Sequence, residues 1–236
     1  MKYCYDLHIH SALSPCADND MTPNNILGMA AVNGLNMIAV SDHNSVKNVR
    51  SVLKLQDVYG ITVVPAFELQ TAEEIHFLCL FPDFAPLEKF YNGVGFMEVE
   101  NKKAIFGNQL ILDENDNVTG EEARLLLSSA DIYSYQVKDA VKSAGGIAVP
   151  AHIDRESNGM ISILGNLDDD YDAVEFSPYA DAAFREIYGR GRSVLVNSDA
   201  HTLDKISEAV NFLELKKCSA ESLINYLYGR GKDRNG

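Results

Sequence analysis

The six histidines of this chain are candidates for joint chemistry, because each lies in or just beyond a short apolar run. His8 and His10 close YCYDLHIHS, His43 closes NMIAVSDH, and His76 lies in EEIHFLCLFP; His152 closes GGIAVPAH and His201 closes SVLVNSDAH. Histidine is neither a strong strand former nor a preferred core residue, so this placement asks for a role. Residues i and i+2 of a strand point to one side, so His8 and His10 can face one ion, and Asp199 and His201 share that spacing. Glu68 ends VVPAFE, and Asp42 sits beside His43. Imidazole with carboxylate and little sulfur suits zinc, manganese or iron(II), and a carboxylate can bridge two ions. An isolated HxH or DAH says little. Six such histidines on one face of a fold say a great deal.

The elements that must carry these residues alternate strand-like apolar runs with helical patterns, which predicts an α/β fold with a mainly parallel sheet. In such folds the carboxyl ends of the strands form the active-site face. TPNNILGMAAVNGL predicts a helix with Thr22 as N-cap, Pro23 in its first turn and Gly34 as its stop. VKNVRSVLKLQDVYG predicts an amphipathic helix ending at Gly60, and the C-terminal part predicts a strand and a closing helix capped by Ser219. Residues 83–132 break the rhythm. GNQLILDENDNVTG predicts a hairpin and EEARLLLSSA a short helix, read together as an insertion packed beside the main body.

Composition bounds the rest. An apolar fraction of 46% and a charged fraction of 23% are those of an ordinary globular protein. No run reaches the roughly 18–20 apolar residues of a membrane span, and no secretion signal is expected. Cysteines at 4, 16, 79 and 218 form no CxxC pair, so reduced thiols in a cytoplasmic protein are expected. A net charge of −14 speaks against an extended nucleic-acid grip and leaves a small anionic ligand open.

In order and spacing, DLHIHS, SDHNS, the strand-end Glu68, PAH and NSDAH resemble the successive motifs of the PHP (polymerase and histidinol phosphatase) superfamily. The resemblance covers residues 3–81 and 145–205. It implies a distorted (β/α)7 TIM-like barrel, one domain over residues 1–236 with the insertion at about 83–132, and two or three divalent transition-metal ions. His8, His10, Glu68 and Asp199 would surround one ion; Glu68, His76 and His152 would hold a second, with Glu68 bridging. His43 and His201 would hold a third with a ligand from SALSPCADND, where Asp18, Cys16 and Asp20 compete and Asp18 is chosen as the hard donor. Asp6 and Asp42 are expected beside the ligands, fixing their tautomers. Arg155 is expected on the substrate phosphate, which makes Arg155 and Asp42 the catalytic candidates. The implied activity is a metal-dependent phosphoesterase that hydrolyses a small phosphate monoester, such as a nucleotide, through a metal-activated hydroxide. An amidohydrolase-like enzyme and a non-catalytic metal-binding accessory module are the alternatives. Three divalent ions outweigh Asp18, Glu68 and Asp199 in charge, so the pocket can be electropositive inside an acidic protein.

Overall fold

A computed structural model describes residues 1–167 and 171–229. In chain order these residues form β1 (Lys2–Ile9), α1 (Pro23–Val32), β2 (Met37–Val40), α2 (Val49–Tyr59), β3 (Thr62–Val63), β4 (Ala66–Gln70) and β5 (His76–Leu80). Then follow α3 (Phe84–Gly93), α4 (Lys103–Phe106), β6 (Leu110–Leu112), β7 (Val118–Glu121), α5 (Ser134–Ser143) and β8 (Ile147–Pro150). The last third holds α6 (Met160–Leu164), β9 (Ala173–Phe176), α7 (Ala182–Gly189), β10 (Ser193–Val196), β11 (Phe212–Glu214) and α8 (Ala220–Gly229). Among the described residues no helix is long and apolar enough to cross a membrane.

The helix ends follow local chemistry. Thr22 caps α1 by accepting from the Asn25 N–H, Pro23 fills its first position, and Gly60 ends α2 in the left-handed region at φ 66°. Ser219 accepts from the Ser222 N–H at 3.2 Å at the start of α8.

The strands pair in both senses, against the expectation of a mainly parallel sheet, and β11 lies antiparallel to β1. β1, β2 and β3 pair in parallel, as do β9 and β10, whereas β5 lies antiparallel to both β4 and β8. No closed barrel runs through the described residues. The ladders β11-β1-β2-β3, β4-β5-β8 and β9-β10 are separate. Single links join them: the bridges Ile9 to Ala200 and His43 to Glu68, and the Ile153 N–H to Glu175 oxygen bond at 3.0 Å.

Period-two alternation layers the inner face. Ala66, Leu78, Leu80 and Ala173 share one core with Leu223 and Leu227 of α8, while Phe67, Phe77, Cys79, Val174 and Phe176 pack outward into another. Glu68, His76 and Glu175 are on the inner parity of the same strands, two residues beyond apolar partners. The inner face is thus apolar toward α8 and polar toward the opposite end.

The insertion has its hairpin, β6 with β7, but not its helix. Residues 122–130 are irregular because distant side chains bond their backbone. Gln109 donates to the Glu122 and Arg124 carbonyls, Asn44 to those of Leu126 and Ser128, and Gln70 to that of Leu127. Carbonyls bound in this way cannot also accept along a helix. The hairpin braces the loop after β1: the Leu110 N–H donates to the Ala12 oxygen at 2.8 Å, and Thr22 Oγ1 donates to Asp116 at 2.8 Å.

Candidate metal centre

Glu68 is the hub of the polar end. It is 1% exposed. Its Oε1 lies 2.9 Å from His76 Nδ1, 3.1 Å from His152 Nε2 and 3.2 Å from His8 Nε2. Its Oε2 lies 2.7 Å from His43 Nδ1 and 3.6 Å from His10 Nε2. Asp199 Oδ1 forms a second focus, 2.9 Å from His10 Nε2, 3.5 Å from His8 Nε2 and 3.6 Å from His201 Nδ1. Strand reversal explains one member. His76 begins β5, yet because β5 runs antiparallel to β4, its first residue pairs with Gln70 at the end of β4.

Close as these atoms are, they are poorly satisfied. His8 Nε2, His10 Nε2, His43 Nδ1, His76 Nδ1, His152 Nδ1, Glu68 Oε2 and Asp199 Oδ1 are buried without a hydrogen bond of regular geometry. Each buried polar atom left this way costs about 1–3 kcal/mol, and together they would strain any fold that had no other partner for them. Divalent cations would be such a partner. Among the described residues three sets have ligand atoms mutually within 4.8 Å: His8, His10 and Glu68; His43, Glu68 and His76; His10, His43 and His201. Nitrogen with carboxylate oxygen fits zinc, manganese or iron(II).

Two of these residues occupy strained backbone. His152 has φ 29° and Asp199 φ 52°, in the left-handed region that non-glycine residues rarely adopt.

Outside the cluster, side chains fix ring orientation. Glu175, wholly buried, accepts from His8 Nδ1 at 3.0 and 3.1 Å, from Asn197 Nδ2 at 2.9 Å and from the His152 N–H at 3.3 Å. This leaves His8 Nε2 free for a cation. Gln70 Oε1 does the same for His76 through Nε2 at 3.1 Å. Asp42 touches no ring at hydrogen-bond distance. It accepts from Ser11 N–H, Ser11 Oγ and Ser14 Oγ at 2.6–2.7 Å, and Ser14 Oγ lies 2.9 Å from His10 Nδ1. Asp42 is therefore placed to position His10 through Ser14. Asp6 accepts from the Ser198, Ser207 and His8 N–H groups and ties down the loop after β10. Sequence reasoning missed Glu175, whose one signal was a carboxylate inside the apolar strand AVEF.

The charges are tightly coupled. Burial opposes protonation of His8, but Glu175, Glu68 and Asp199 outweigh it and hold its pKa well above the ordinary value. His10 is pushed well below, by burial and then by His201 and His43. Burial favours the neutral form of Glu68, but His76, His8 and His43 hold its carboxyl well below the usual range, and His8 and His10 do so for Asp199. Burial lowers His76 to about 4.

Two flanking expectations meet different geometry. Arg155 turns into the site and pairs with Asp199 Oδ2, while Asp154 is engaged by Ser177. Asp18, chosen as the third-site ligand, is exposed and belongs to none of the three sets. Its N–H donates to the His201 carbonyl at 2.9 Å, and Asp20, also exposed, accepts at its backbone carbonyl from the Thr22 N–H. Cys16 is exposed too and belongs to none of the three sets; burial would raise its pKa, but His201 and His43 outweigh it and bring the thiol down to about 6.

No family model matches the chain. An uncharacterised protein of Methanocaldococcus jannaschii is 33% identical over 76 residues, 29% of this chain and 44% of that protein. Among solved structures, the lesion-specific endonuclease Q of Pyrococcus furiosus superposes with a TM-score of 0.71 at 20% identity, over 97% of this chain and 56% of that one. Endonuclease Q in complex with a 27-mer duplex substrate, an abasic lesion at its active site, gives 0.69 at 18% identity over 97% and 57%. A two-domain protein of Bacteroides vulgatus containing a predicted PHP-like metal-dependent phosphoesterase gives 0.56 at 15% identity over 98% and 63%. The chain thus has the PHP-type fold and spans a little over half the length of the endonuclease chains it matches. The duplex complex also corrects the expectation of a small substrate with no nucleic-acid grip. A net charge of −14 describes the average surface, whereas a cation cluster sets the field where a phosphate lands.

Proposed function

We propose that this chain is a metal-dependent hydrolase of phosphoester bonds whose substrate is a phosphodiester within nucleic acid. The observation that supports this most is the convergence of six histidines with Glu68 and Asp199, where His8, His10, His43 and His76 leave buried ring nitrogens without a regular hydrogen bond, on a fold shared with endonuclease Q. His8, His10, Glu68 and Asp199 would hold one cation, and Glu68, His76 and His152 a second, with His43 reaching the other Glu68 oxygen. Two or three divalent ions, zinc, manganese or iron(II), would activate water and neutralise charge on the phosphoryl oxygens. The protein's own part is to orient and to bind. Glu175 and Gln70 fix the tautomers of His8 and His76, and Asp42 fixes His10 through Ser14. Arg155, with its side chain 39% exposed beside Asp199, can turn its planar donors to a substrate phosphate. The separate ladders would be the wall of a distorted seven-stranded barrel, and residues 1–236 one domain with an insertion at about 83–132.

The test uses end-labelled DNA: a duplex with an abasic site, the undamaged duplex, and a single strand. Chain cleavage that chelation abolishes and zinc, manganese or iron(II) restores is expected with at least one of them. Phosphate release from mononucleotides without DNA cleavage would overturn the substrate class. No hydrolysis of either would overturn the activity.

A further inference from the structure

Tyr179 is the most exposed aromatic side chain among the described residues, 88% open to solvent. It stands three residues beyond β9, the strand whose Glu175 holds His8. The turn that carries it is fixed from two sides. Asp154 accepts from the Ser177 N–H at 2.7 Å and from Ser177 Oγ at 2.5 Å, and Ser177 Oγ accepts from the Tyr179 N–H at 3.2 Å. Arg185 of α7 donates to the carbonyls of Ser177, Pro178 and Ala180 at 3.0–3.2 Å. These bonds order the backbone and leave the ring itself in water. A single exposed aromatic is ordinary; the place of this one is not. Asp154 precedes Arg155, whose guanidinium pairs with Asp199 in the metal centre. Tyr179 and Arg155 therefore stand on two turns bonded directly to each other, at the end of the fold where the histidines converge. The local charge suits a polyanion. Two carboxylates beside the turn are spent, Asp154 on Ser177 and Asp181 on the Phe184 N–H at 2.8 Å, while Arg155 and Arg185 add two guanidiniums.

Building on the nucleic-acid phosphodiester substrate proposed above, we propose that Tyr179 is a stacking platform for an unpaired nucleobase beside the scissile phosphate. The cations and Arg155 hold the sugar–phosphate chain, and the tyrosine ring takes the face of the neighbouring base. Every base has a π-face, so the contact tolerates any sequence but requires a base that is not stacked in a duplex. A turn ordered in advance loses little further freedom on binding, which is what a platform needs.

The chain has no tryptophan, so Tyr179→Trp puts a single indole at this position. On rapid mixing of the metal-loaded variant with single-stranded DNA, its fluorescence is expected to fall as a base stacks on it. A strand of the same length made of stable abasic residues should bind without quenching. Tyr179→Ala should weaken binding of the base-bearing strand by about five- to a hundredfold, measured by fluorescence anisotropy of labelled DNA, while Tyr179→Phe stays within about twofold. Metal content, circular dichroism and affinity for the abasic strand should not change in either variant, because the ring acts on the base alone. Unchanged affinity in Tyr179→Ala, equal weakening on both strands, or a loss in Tyr179→Phe as large as in Tyr179→Ala would overturn the stacking role and leave the nucleic-acid substrate standing. DNA bound to the Tyr179→Trp variant with unchanged fluorescence would do the same. A native chain that binds no DNA would overturn the nucleic-acid substrate itself.

Discussion

Glu175→Gln is the sharpest probe of how the fold prepares its ligands. The native carboxylate accepts from His8 Nδ1, Asn197 Nδ2 and the His152 N–H, all buried. Asn197 cannot adapt, because its Oδ1 already accepts from the Leu7 N–H at 2.8 Å, which fixes its amide donor toward Glu175. A glutamine keeps the shape but offers one acceptor oxygen where there were two, and it aims an NH2 group at donors. One buried donor is left unsatisfied, at about 1–3 kcal/mol, and the negative charge behind the His8 ring is gone. At about 1.4 kcal/mol per decade, the expected loss in metal affinity is about ten- to a hundredfold. Chelator competition on the purified variant measures it, with circular dichroism confirming the fold. An affinity within about twofold of the native chain would refute the role given to Glu175.

Glu68→Gln should lower bound metal more than Asp18→Asn, because it removes the anion that five imidazoles surround, whereas Asp18 faces solvent; elemental analysis of both variants decides this. Arg155→Ala should keep its metal yet lose about ten- to a hundredfold in kcat/KM on a phosphodiester, with Arg155→Lys recovering only part, since a charged hydrogen bond is worth about 1.5–3 kcal/mol. Metal affinity should rise with pH through neutrality, because the pKa of His8 lies well above its ordinary 6.5 and an entering cation must displace that proton. Stability of the metal-free chain has the opposite sign. The His8 contribution is fully present below about 6.5 and fades as pH climbs through the raised value, so calorimetry at several pH values should show binding and stability moving in opposite directions.

The clustered histidines and carboxylates were the most legible part of this molecule, because most lie at an end of an apolar strand and period-two spacing puts His8 with His10 on one side. The reversal of β5 was not legible, since alternation reads the same in either direction and only the pairing of His76 with Gln70 reveals it. The helix expected in EEARLLLSSA failed because its carbonyls are taken by Gln109, Asn44 and Gln70, partners far away in sequence. Donor hardness favoured Asp18 over Cys16, yet both are exposed and neither is among the clustered ligand atoms, because the turn that ties the Asp18 N–H to the His201 oxygen keeps this loop at the surface. Asp42 was placed beside a histidine by sequence and acts on a different one, His10, through a serine. The partner expectation failed because total charge was read where local charge decides.

Metal content tests the central claim most directly. Protein purified without chelator and supplemented with zinc, manganese and iron(II) in separate preparations should carry at least about two tightly held ions per chain with one of them, by elemental analysis after extensive dialysis. The buried, unpartnered atoms of His8, His10, His43, Glu68, His76 and Asp199 demand that many. Less than about one ion per chain in every preparation would mean that these side chains are no metal centre.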